Sequence, residues 1–110
     1  MKALNDFSDW MTQKSGLSES SIYKYTRAVN TVSNEMLEEK VVNKGLLNMN
    51  LVELDIAISN ILDNPLFIEK NTRGNHMYSN ALKQYRYFML EKIEDDIAER
   101  KIEEEIEQSQ

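Results

Sequence analysis

Three glycines and one proline are all the strong helix breakers in 110 residues. Gly16, Gly45, Pro65 and Gly74 fall between apolar stripes of helical spacing. That punctuation, in a chain rich in Leu, Ile, Met, Glu and Lys, predicts an all-α domain of four to five helices with a long C-terminal helix. The length predicts one domain, which buries roughly two-thirds of its unfolded surface on folding.

The stripes set the helices. Leu4, Phe7, Trp10 and Met11 make one apolar line and predict a first helix over 3–14, ended by Gly16. Ser18 is a good N-cap for a second helix over 19–39. Its seam is Ile22, Tyr25, Val29, Val32 and Met36, the clearest periodicity in the chain. Residues 40–50 read as a connection that tucks Leu46, Leu47 and Met49 under the core. A third helix over 51–63 turns Leu54, Ile58, Ile61 and Leu62 inward, and Asn64-Pro65 stops it. Leu66, Phe67 and Ile68 read as one short apolar turn, followed by a polar loop over 70–75 with Gly74 at positive φ. The last helix starts near Asn75 or His76 and reaches about residue 106, with Tyr78, Leu82, Tyr85 and Met89 on its seam. The shared core is expected to hold Trp10, Tyr25, Val29, Ile58, Leu82 and Tyr85.

Charge divides the chain in two. Residues 1–90 hold ten basic and ten acidic side chains, and residues 91–110 hold three and nine. The whole net charge of −6 therefore belongs to the last segment. This predicts a bundle domain over 1–90 and an acidic helical extension or linker over 91–110. An acidic total does not exclude a nucleic-acid partner, because a local basic face is what meets phosphate. No cysteine is present, which points to a cytoplasmic origin, and no apolar run reaches membrane-spanning length.

Catalytic and metal chemistry find little support. A lone His76 without cysteine excludes ordinary zinc sites. Glu91, Asp95 and Glu99 stack along one helical face, which reads as a solvated surface. Ser79 lies one turn after His76, but neither an acid partner nor oxyanion donors accompany it. The expectation is no catalytic residue, no metal and no cofactor.

Binding finds more. Lys24 and Arg27 lie one turn apart on the second helix, and Lys83 and Arg86 one turn apart on the last. Lys14, Lys70 and Arg73 lie near the loops that lead into those helices. Tyr23 and Tyr87 are offset from the apolar seams. If the two helices are neighbours, the cations form one patch suited to a phosphate backbone, and Tyr23 can stack on a base or bond a phosphate. The candidate DNA-binding residues are Tyr23, Lys24, Arg27, Arg73, Lys83 and Arg86.

Two blocks carry a family resemblance. GLSESSIYKYTRAVNTVSNEM resembles the opening of the SAM-like core-binding domain of tyrosine recombinases. Taken with Phe7, Trp10 and Met11, and with NTRGNHMYSNALKQYRYF at 71–88, the chain is more similar to the N-terminal helical domain of bacterial restriction endonucleases of the HNH type. The similarity spans residues 7–90, and the second block is its more specific half. The resemblance implies a SAM-like bundle that contacts DNA and positions a nuclease domain. Neither HNH residues nor a recombinase catalytic domain are present, so the module itself is expected to be non-catalytic. Two other readings remain open at this level. One is a protein–protein or dimerisation module acting through Ile93, Ile97, Ile102 and Ile106. The other is a small acidic phage or defence regulator.

Overall fold

The computed structural model describes residues 2–108, and those residues form five α-helices without a strand. Helix α1 spans Lys2–Lys14, α2 spans Glu19–Glu38, α3 spans Leu51–Leu62, α4 spans Pro65–Arg73 and α5 spans Met77–Gln108, with a 3-10 turn at Leu46–Asn48. The all-α expectation and the long last helix are both met.

Local chemistry explains most of the boundaries. Ser15 Oγ donates to the Met11 carbonyl and Gly16 follows at φ +71°, so α1 ends where a left-handed residue is available. Ser18 Oγ accepts from the Ser21 amide and opens α2. Asn50 and Glu53 form a capping box at the start of α3. Asn64 Oδ1 accepts from the Leu66 and Phe67 amides, and Pro65 takes the first position of α4. Pro65 thus ends one helix and begins another, and the apolar piece after it is a helix of nine residues.

The loop expected over 70–75 is corrected accordingly. Lys70–Arg73 belong to α4, so the left-handed positions move beyond the glycine. Gly74 has φ −88°, while Asn75 and His76 take φ 54° and 64°. The Asn75 amide donates to Thr72 and the His76 amide to Asn71, the bond pair that closes a helix C-terminus. Asparagine accepts this conformation better than most residues, which lets the turn form without glycine there. Gly74 is used differently: a Cβ there would stand 3.0 Å from the Tyr78 ring.

The core is built around α5. Phe7 of α1 meets Tyr85 edge-on at 5.2 Å, and Phe88 packs against Phe7, Trp10 and Tyr85. Trp10 Nε1 donates to Glu91 at 2.8 Å, so α1 and α5 run the same way. Helix α2 runs back along them, placing Glu35 at Lys70 and Thr31 near Tyr78 at the start of α5. Val29, Leu82 and Tyr85 are buried as expected, whereas Trp10, Tyr25 and Ile58 pack at the core's edge. Leu62 is exposed, and Ala57 takes the inward position of α3 instead. Burial raises the Tyr85 phenol above its ordinary pKa. The connection 40–50 is pinned by buried Ser33, whose Oγ accepts from the Leu46 amide at 2.9 Å.

Past Glu91, α5 leaves the bundle. The molecule measures 58 Å along its longest axis and 31 × 21 Å across. Ile97, Ile102 and Ile106 are about half exposed on this extension. Among the described residues, no helix is long and apolar enough to cross a membrane.

Candidate nucleic-acid interface

Helix α2 and the first turn of α5 enclose a shallow hollow of about 310 Å³, lined by Tyr23, Lys24, Arg27, Ala28, Thr31, Met77 and Tyr78. Tyr23, Arg27 and Thr31 recur every four residues, so one face of α2 makes one wall. Tyr23 is 61% exposed. Arg27 Nη1 donates to the Tyr23 hydroxyl at 2.9 Å, and its guanidinium carbon lies 5.6 Å from the ring centroid. The two side chains therefore hold each other in place, with the ring presented to solvent and the charge close beside it. Lys24 adds a second cation on the same wall. Among the described residues, neither Lys24 nor Arg27 has a carboxylate within ion-pairing distance.

The far wall, Met77 and Tyr78 of α5, is positioned by the α4–α5 turn. Asn71 accepts from the Ser79 amide and donates to the Ser79 hydroxyl, both at 3.0 Å, which locks α4 against α5. The Ser79 hydroxyl in turn donates to the His76 carbonyl, so Ser79 acts as a latch. This latch sets Lys70 5.0 Å above the Tyr78 ring, while the same ammonium bonds Glu35 of α2 at 2.6 Å. Arg73, one turn on, meets Glu69 at 3.6 Å with both side chains largely exposed. An exposed pair of this kind contributes little to stability and leaves the guanidinium easy to redirect.

The remaining two cations lie elsewhere. Arg86 is nine residues beyond Met77, which at about 100° per residue turns it to the opposite flank of α5. There it makes a two-pronged contact with Asp55 of α3, 2.6 Å from Nε and 3.3 Å from Nη2. Asp55 raises the Arg86 pKa by hydrogen bonding and by charge. Lys83 is exposed and also turned away from Met77. Of the six residues selected from the sequence, the fold gathers Tyr23, Lys24 and Arg27 in one hollow. Arg73 ends α4 outside the lining of the hollow, and Lys83 and Arg86 lie on another face.

Sequence reasoning missed Thr31 and Met77, and it assigned Tyr78 to the core seam alone. The spacing of α2 could have placed Thr31 beside Arg27. The part of Tyr78 could not be read, because it depends on the turn through Asn75 and His76. No family model, curated protein or solved structure matches this chain.

Proposed function

We propose that this chain is a non-catalytic DNA-binding or positioning module of a restriction- or defence-type nuclease, with a SAM-like arrangement of its helices. The carrying observation is the hollow between α2 and α5, where two tyrosines and two cations without carboxylate partners converge. Lys24 and Arg27 suit phosphate oxygens, and Arg27 can add a directed hydrogen bond. Tyr23 offers a ring face for stacking and a hydroxyl for a phosphate. Arg73, one turn past the Lys70 that lies over Tyr78, is the further phosphate contact in this reading. The acidic extension beyond residue 90 carries the net negative charge away from this surface, which keeps the local field at the hollow from being cancelled. The sequence resemblance to restriction-endonuclease N-terminal domains supports the same reading.

A gel-shift series tests it. Lys24→Glu with Arg27→Glu should strongly weaken the shift of duplex DNA, whereas Arg86→Gln should leave it within about twofold, since that guanidinium is held by Asp55. Equal binding by the parent and the double variant would place the interface elsewhere.

A further inference from the structure

A second hollow borders the first, on the other side of the same residues. It lies between α1 and α2 and measures about 320 Å³. Asn5, Ser8 and Thr12 line its α1 side, and their spacing of three and four residues puts them on one helix face. Glu19 and Thr26 line its α2 side. Tyr23 and Arg27 belong to both hollows. The bonded pair of ring and guanidinium is therefore a ridge with a hollow on each side.

The two hollows differ in chemistry. The first adds Lys24 to the ridge and has no carboxylate in its lining. The second adds neutral hydroxyl and amide groups and one carboxylate, Glu19, which makes no ion pair among the described residues. The Thr12 and Thr26 hydroxyls donate to the Ser8 and Ile22 carbonyls, so towards a ligand they offer lone pairs. Asn5 and Ser8 keep their side-chain donors free among the described residues. A phosphate is drawn to the first hollow and repelled from the second by Glu19. A nucleobase edge suits the second, because it presents donors and acceptors without net charge. A volume near 320 Å³ lies at the lower end of ligand sites, which run from roughly 300 Å³, and this fits one base.

The carboxylate selects among the bases. Guanine carries two adjacent donors on its pairing edge, N1–H and the N2 amino group, which match the two oxygens of Glu19. Its O6 stands beside them for a donor such as Asn5 or Ser8. Thymine has one donor between two carbonyl oxygens, which a carboxylate repels. In a duplex the guanine edge is already bonded to cytosine. Turning a paired base out of the stack costs energy that a small surface hollow does not repay, so the base must arrive unpaired. We propose that the second hollow takes an unpaired guanine from a single-stranded stretch adjoining the duplex, with the neighbouring phosphate on Arg27 and the Tyr23 ring beside the base. This rests on the reading of the first hollow as a DNA-backbone site.

Anisotropy at low salt tests it with a blunt duplex and with the same duplex carrying a short overhang on either strand end. The overhang is thymine throughout, or has guanine next to the duplex. The parent should bind the guanine overhang about tenfold more tightly than the thymine one. Glu19→Gln should bring that ratio to within about twofold, while the blunt duplex is held slightly more tightly because a negative charge is gone. A folding defect would instead weaken every substrate together. A parent that binds the blunt duplex and both overhangs alike overturns the guanine site and leaves the backbone reading standing. A guanine preference that persists in Glu19→Gln also overturns the site. A parent that binds none of these DNAs overturns both.

Discussion

Ser33→Ala probes how the connection 40–50 is held. Ser33 is 4% exposed and Leu46 fully buried, and the Ser33 hydroxyl oxygen accepts the Leu46 amide at 2.9 Å. The substitution removes the acceptor and leaves a buried amide without a partner, which costs about 1–3 kcal/mol. At about 4–8 °C per kcal/mol for a domain near this size, the melting temperature should fall by about 5–20 °C. Urea unfolding should show a lower midpoint with an unchanged slope. Gly45 gives a second reading of the same contact. Its φ of −64° and ψ of 147° suit any residue, but an added Cβ would lie 3.3 Å from the Ser33 oxygen. Gly45→Ala should therefore gain little alone, because this crowding offsets the about 0.4–1 kcal/mol expected from a stiffer unfolded chain. In the Ser33→Ala background the crowding is gone and that gain should appear, a coupling of at least about 0.5 kcal/mol. A Ser33→Ala loss below about 0.3 kcal/mol, or strict additivity of the two changes, would refute the assignment of Ser33 as the pin.

Other expectations follow from the same geometry. Leu82→Ala, at a side chain only 1% exposed, should destabilise by about 2–5 kcal/mol in chemical denaturation. His76→Gly should stabilise slightly or be neutral in the same assay, because the residue at φ 64° is relieved of about 1 kcal/mol of left-handed strain while the unfolded chain gains freedom. Glu53 has its pKa lowered, first by the Lys44 hydrogen bond and then by the Asn50 amide. A carboxyl depressed in the folded state adds stability that is complete above its ordinary pKa and is lost as pH falls through the lowered one. The melting temperature should therefore fall in that acid window, and Glu53→Gln should flatten the part of the fall that this group causes.

Helix positions were largely legible because each rests on short-range signals. Ser18 and Asn50 cap where a side-chain acceptor precedes an apolar run, and the Ile22 to Met36 stripe lies at helical spacing whatever surrounds it. The α4 boundary was not legible. Pro65 disfavours helix in the residue before it, but it equally favours the first helical position, and the sequence does not say which use prevails. The error carried over to Gly74, whose missing Cβ serves the approach of Tyr78, with the turn left to Asn75 and His76. The grouping of three of the six candidate residues was legible for a similar reason. Tyr23, Lys24 and Arg27 share one helix, so their proximity follows from spacing. The side of α5 that faces α2 depends on tertiary packing, and Arg86 proved to face Asp55 of α3. The hold of Ser33 on Leu46 joins residues thirteen apart through an irregular connection, which no periodicity encodes.

The salt dependence of duplex DNA binding tests the central claim most directly. Anisotropy of a labelled duplex should be followed for the parent and for Lys24→Glu with Arg27→Glu. Two or three phosphate contacts imply an affinity loss of about 10- to 40-fold between about 50 and 200 mM salt. The double variant should bind more weakly at low salt and show a logarithmic slope shallower by about two units. A parent that does not bind duplex DNA at low salt, or that binds with no response to salt, would contradict the account.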